Sequence, residues 1–98
     1  MAKTTPEQVL SELLAVIEQR RGADPDSSYT ARLLARGLPK IAQKVGEEAT
    51  ETVVAALAES DERVVSESAD LIYHLLVLWA ARGIDAKAVF AELAKRRK

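Results

Sequence analysis

Glu67-Ser68-Ala69-Asp70-Leu71-Ile72-Tyr73-His74-Leu75-Leu76-Val77-Leu78-Trp79-Ala80-Ala81 is the stretch that decides the fold. From Ala69 to Ala81, eleven of thirteen residues are apolar, counting Tyr73, and no proline or glycine interrupts them. A helix that is apolar nearly all round is buried against several neighbours. Yet Glu67, Asp70 and His74 fall on one arc about 60° wide at 100° per residue. A buried carboxylate is costly unless it is paired or binds a metal. An acidic row on such a helix therefore asks for a cation, and Lys40, Lys44 or a metal ion are the candidates.

Working outward, Ser60-Asp61-Glu62 reads as the cap of this helix and Gly83 as its stop, so it runs to Arg82. Thr5-Pro6-Glu7 opens a first helix of about Pro6 to Arg21. Its Val9, Leu10, Leu13, Leu14 and Ile17 recur at the spacing of one buried face. Gly22 ends it, and Ala23 to Ser27 reads as a loop. Ser28 caps a short second helix, Tyr29 to Arg36, ended by Gly37. A third helix follows from about Pro39 to Ala58, and Asp85 opens a last one through Lys98. With no alternating strand pattern, the class is all-α: a five-helix chain with a central antiparallel helix hairpin.

The third helix carries Glu47, Glu48 and Glu51 close together on one side, with Lys40 and Lys44 on the same stripe. A solvated face with intrahelical ion pairs is the plain alternative, although lysine before glutamate is the weaker order. The short turn at Glu59 to Asp61 pairs this helix antiparallel with the next. Counting about 1.5 Å per residue, Glu51 and Glu67 both stand roughly 8–10 Å from the turn, and Glu48 and Asp70 roughly 12–15 Å. Four carboxylates at one height form a pocket that repels itself without divalent cations. All-oxygen ligands suit Mg²⁺ or Mn²⁺ rather than zinc, and magnesium suits polyphosphate substrates. One difficulty remains. The main apolar arc of the third helix, Val45, Ala49, Val53 and Leu57, lies away from the acids and must pack on the first helix or on another subunit.

Glu48-x-x-Glu51 followed by Glu67-x-x-Asp70 is similar to the metal motif of the all-α nucleotide pyrophosphohydrolases. Ser28-Tyr29-Thr30, Lys44-Val45-Gly46-Glu47-Glu48-Ala49-x-Glu51 and Glu67-x-Ala69-Asp70-Leu71-x-Tyr73-His74-Leu75-x-Val77-Leu78 together resemble the phosphoribosyl-ATP pyrophosphohydrolase family over about residues 6 to 95. The resemblance implies hydrolysis of phosphoribosyl-ATP to phosphoribosyl-AMP and pyrophosphate, the second step of histidine biosynthesis, by a metal-activated water. It implies a helical-bundle homodimer or a dimer of dimers, and metal held by Glu48, Glu51, Glu67 and Asp70. Residues 1–98 would form one domain of the stand-alone form, working in the cytoplasm.

Glu47 or Glu48 is then the candidate to take the proton of the water. Lys44, Lys40 and Arg32 are candidates for substrate phosphate, against the alternative of solvated cations. His74 is a substrate contact or a satisfied core histidine, Tyr29 a base-stacking or a packing residue, and Trp79 core or interface. A net charge of −1 removes the broad electrostatic case for nucleic acid. The basic end, Lys95-Arg96-Arg97-Lys98, suits a helix C-terminus. The absence of cysteine excludes disulfides and thiolate chemistry. The apolar run of Leu71 to Ala81 falls short of the roughly 20 residues of a membrane span. The rival of the same chemistry is a house-cleaning pyrophosphohydrolase of non-standard nucleoside triphosphates. The rival of another class is a non-catalytic helical dimerisation module that binds no magnesium.

Overall fold

In a computed structural model, residues 4–97 are described and form five α-helices. They are α1 (Pro6–Arg20), α2 (Tyr29–Arg36), α3 (Leu38–Ala58), α4 (Asp61–Arg82) and α5 (Ala86–Ala94). Local chemistry sets the ends. Thr5 and Gln8 exchange side-chain and backbone hydrogen bonds in a capping box, and Ser28, Ser60 and Asp85 each accept an amide of the helix they open. Gly83 closes α4 in the left-handed region (φ 70°), a conformation that glycine adopts without a Cβ clash.

α3 and α4 pair along their lengths as an antiparallel hairpin, and α1 and α2 pack across it. The core is one small cluster drawn from four helices: Ile17 of α1, Leu33 of α2, Ile41 of α3, and Leu76, Val77 and Ala80 of α4. The α3–α4 register is fixed near its middle by Thr52, whose hydroxyl stands 2.8 Å from the Glu48 carbonyl and 3.2 Å from the Glu67 carbonyl. An Arg21 guanidinium donates to the Ala80 carbonyl and ties the end of α1 to α4.

Several expectations need correction. The segment before α2 is not wholly irregular, because Pro25–Ser27 forms a 3-10 turn with Asp24 accepting the Asp26 amide. The last helix stops at Ala94. Four consecutive like charges follow, and the Arg96 and Arg97 amides bond only three residues back, as a turn; Lys98 lies outside the described residues. Of the stripe expected to be buried in α1, only Ile17 is fully so. Leu10, Leu13 and Leu14 are half-buried and Val9 is exposed, because the N-terminal half of α1 stands off α4 across an apolar trough of about 550 Å³. The arc of α3 also divides. Val45 and Ala49 are half-buried, while Val53 and Leu57 are open; α1 packs on α4 and α2 rather than on them. By length and mean hydropathy alone, the whole of α4 is long and apolar enough to cross a membrane, which the run of Leu71 to Ala81 by itself is not. Trp79 is half-buried, and Phe90 of α5 meets its ring edge to face at 6.4 Å.

Candidate metal centre

The hairpin brings the two acidic motifs together. One carboxylate oxygen from each of Glu48, Glu67 and Asp70 lies within 4.8 Å of the others. Glu48 and Glu67 form the floor, 7% and 4% exposed, and Asp70 stands at the solvent-facing rim. Glu51, also exposed, is a near neighbour of both floor carboxyls. Three of the four acids expected at one height, Glu48, Glu67 and Asp70, thus share one group, and Thr52, next to Glu51, lies against the Glu67 carbonyl.

The electrostatics follow from that crowding. Burial, and then the neighbouring Glu51, raises the Glu48 pKa above the ordinary glutamate range. For Glu67 the order reverses: contact with Glu51 comes first and burial second, and again the pKa is raised. One oxygen on each floor carboxyl, Oε2 of Glu48 and Oε2 of Glu67, is buried without a hydrogen-bond partner. Such atoms are expensive unless something else accepts their lone pairs.

Two cations reach the floor. Lys44 Nζ is 3.8 Å from Glu48 and 3.2 Å from Glu47. Arg63 Nη2 is 3.0 Å from Glu67, and the same guanidinium reaches Glu59 at 3.5 Å. Of the lysines named as candidates beside a metal ion, Lys44 pairs within α3 and Lys40 pairs with no carboxylate among the described residues, while Arg63 serves Glu67. Glu59, Arg63 and Glu67 stand at four-residue spacing, so this partner was open to sequence reading and was missed. Glu47 lies outside the cluster. Gln43 and Lys44 hydrogen-bond it, in that order of effect, and hold its carboxyl below the usual range.

His74 is 6% exposed and bonded at both nitrogens. Nδ1 stands 2.7 Å from the Asp70 carbonyl, which can only accept, so Nδ1 carries the proton. Nε2 then accepts from the Tyr29 hydroxyl at 2.7 Å. Burial raises the Tyr29 pKa, so the phenol keeps the proton it donates. Beside this pair, Thr30 of α2 hydrogen-bonds the Tyr73 hydroxyl of α4. Histidine, both tyrosines and the threonine therefore fasten α2 to α4 next to the acids. Arg32 lies outside this network, with a long 3.5 Å bond to the Pro25 carbonyl, and lines a separate pocket with Lys40 and Lys44.

Comparison with known proteins bears on this geometry. Residues 10–97 match the family model described as "Phosphoribosyl-ATP pyrophosphohydrolase". A "Phosphoribosyl-ATP pyrophosphatase" of Paramagnetospirillum magneticum is 62% identical over 89 residues, 91% of this chain and 82% of that protein. A protein of the same description from Erythrobacter litoralis is 66% identical over 87 residues, covering 89% of this chain and 84% of the relative. Another from Rhodospirillum rubrum is 58% identical over 91% of this chain and 76% of its own length.

Proposed function

The chain belongs to the phosphoribosyl-ATP pyrophosphohydrolase family, and from that premise we propose how its carboxylate cluster serves the reaction. The enzyme hydrolyses phosphoribosyl-ATP to phosphoribosyl-AMP and pyrophosphate, a step of histidine biosynthesis, and acts in the cytoplasm. Glu48, Glu51, Glu67 and Asp70 hold a divalent cation, Mg²⁺ by preference and Mn²⁺ as its substitute. The observation that carries this is the pair of buried, unpartnered oxygens on Glu48 and Glu67, with an Asp70 oxygen within 4.8 Å. Lys44 and Arg63 are each shared with a glutamate outside the cluster, Glu47 and Glu59, so the cluster keeps a net negative charge that suits a divalent ion. Oxygen-only ligands select hard cations.

A bound magnesium supplies charge that polarises the phosphoanhydride and activates water. The protein's own groups do the rest. Glu48, on the floor of the cluster beside Glu67 and Asp70, is the group placed to take the proton of the attacking water. Glu47, held ionised by Gln43 and Lys44, instead fixes Lys44 beside the cluster, where its ammonium meets charge developing on the leaving pyrophosphate. His74 and Tyr29 set the position of Asp70 through its carbonyl. Attack falls on the α phosphorus, so turnover in ¹⁸O-water labels phosphoribosyl-AMP.

A second copy of the chain completes the fold. Val53, Val54 and Leu57 of α3 and Val65 and Ile72 of α4 lie open, with Leu57 84% exposed. The radius of gyration, 14.7 Å, exceeds the roughly 13 Å of a compact chain of this size. A homodimer covers these apolar stripes. The deciding experiment is pyrophosphate release with magnesium, comparing phosphoribosyl-ATP with ordinary and non-standard nucleoside triphosphates. Preference for a non-standard triphosphate would establish the house-cleaning reading instead. Calorimetry showing no magnesium binding would favour a non-catalytic dimerisation module.

A further inference from the structure

Four cations and no acid line one surface pocket. Tyr29, Arg32, Leu33 and Arg36 of α2 and Lys40 and Lys44 of α3 enclose about 160 Å³. Lys44 is already engaged by Glu47 and Glu48. Among the described residues Arg32, Arg36 and Lys40 form no ion pair with any carboxylate. Like charges around one cavity repel each other and concentrate a positive field, which suits an anion.

The backbone adds the same sign. Lys40 belongs to the first turn of α3, whose N-cap is Gly37 with no side-chain acceptor. The first intrahelical bond runs from the Ile41 amide to the Gly37 carbonyl, so the Leu38 and Lys40 amides precede it. The open end of a 21-residue helix is a positive pole with free donors. Of that first turn, Lys40 is the residue that lines this pocket, while Gly37 and Leu38 line another, so the four side-chain charges are what mark it.

Lys44 joins the pocket to the carboxylate cluster, and the other three cations lie farther from the bond to be cut. Lys40 stands eight residues before Glu48, about 12 Å along the helix axis. Helical side chains lean towards the N-terminus, which carries the Lys40 ammonium further from the carboxylates. That is beyond a pyrophosphate held at the metal centre. Between the two sites stands Tyr29, its hydroxyl fixed by His74.

We propose that Arg32, Arg36 and Lys40 bind the ribosyl 5-phosphate of the substrate and so select phosphoribosyl-ATP over ATP, which has no such group. The selection rests on the substrate assigned above; phosphate binding at the pocket does not. The test titrates ribose 5-phosphate into magnesium-loaded protein and follows the amide resonances of the pocket residues Arg32, Leu33, Arg36 and Lys40. Saturable shifts are expected in the wild type, weakened about tenfold or more in Arg36→Met, the loss expected for one charge-assisted hydrogen bond. The same variant should raise the KM for phosphoribosyl-ATP relative to the Ki of ATP by a similar factor. Arg32→Met stands in should Arg36→Met fail to fold. If pyrophosphate rather than ribose 5-phosphate loses affinity in the variants, the pocket serves the leaving group and the assignment is wrong. If neither loses affinity, the pocket is no phosphate site. Wild-type protein that binds ribose 5-phosphate there but does not turn over phosphoribosyl-ATP would overturn the assigned substrate and its selection, while supporting the phosphate site.

Discussion

The α3–α4 hairpin has two surfaces that break the ordinary rules of burial in opposite ways. Along its inner seam Glu48 and Glu67 place carboxylates almost out of solvent, with one oxygen apiece lacking a partner. On its outer stripes Leu57, Val53, Val65 and Ile72 leave branched apolar side chains half open or more. The first arrangement is destabilising through desolvation and repulsion, the second through lost apolar burial. Both belong to helices held together by many ordinary contacts and one well-placed threonine. Local unfavourability on a rigid frame marks where a second molecule is expected, and its chemistry gives the kind: a cation where charge is buried, a protein surface where hydrocarbon is exposed.

The sharpest way to break the contrast is to remove one charge from the seam. Glu51→Gln or Asp70→Asn should lower turnover about a thousandfold or more, because several kcal/mol of charge stabilisation go with the metal. The metal-free fold should survive and melt no lower, since repulsion is relieved. Steady-state pyrophosphate release and a melting curve in chelator check both halves; near-normal rates would refute the metal site. The outer stripes are tested by Leu57→Asp combined with Ile72→Asp, both on open positions. Dimer dissociation should strengthen about a hundredfold or more while the circular dichroism spectrum stays helical. A wild-type monomer at micromolar concentration in sedimentation equilibrium would sink the dimer.

Acidity separates the surfaces further. Glu48 and Glu67 have raised pKa values in the fold, so the folded chain binds more protons than the unfolded one between the ordinary value of 4.5 and the raised ones. Metal-free stability should therefore rise as pH falls through that window. Below it the trend reverses, because Glu18 and Glu47, with lowered values, lose their stabilising partners on protonation. Denaturant midpoints against pH should show the first slope flattened in Glu51→Gln and unaltered by the double substitution on the stripes. The smallest expected change is Thr52→Val, which removes the hydroxyl between the Glu48 and Glu67 carbonyls. It should lower stability by about 1 kcal/mol and the melting temperature by about 4–8 °C. No change in either would mean that side-chain packing alone sets the register.

Helix number, order and hairpin pairing were legible because caps, glycines and apolar spacing act within a few residues. The meeting of Glu48 with Glu67 and Asp70 was legible for a related reason: helical rise is constant, and a short turn transmits it to the partner helix. Most of what escaped depended on contacts between distant segments. Val9 and Leu57 fit an apolar stripe as well as Ile17 does, but only the path of α1 decides which of them is covered. Arg63 as the partner of Glu67 was a local four-residue spacing that was overlooked, whereas Arg36 becomes the wall of a pocket only through the packing of α2 on α3. The hydroxyl pairs Tyr29–His74 and Thr30–Tyr73 span more than forty residues, so no local pattern announces them.

His74 is the sole histidine in the sequence, and it is bonded to the backbone of Asp70 on one side and to Tyr29 on the other. Its imidazole therefore gives one uncrowded pair of carbon-bound proton resonances in a magnetic resonance spectrum. The protonated Nδ1 and accepting Nε2 set the starting values of those signals. Any cation settling on the Asp70 carboxylate, or any nucleotide pressing on the Tyr29 ring, must perturb that single ring. The molecule thus carries a built-in spectroscopic reporter, usable without label or dye, for loading of the metal centre and occupancy of the neighbouring pocket.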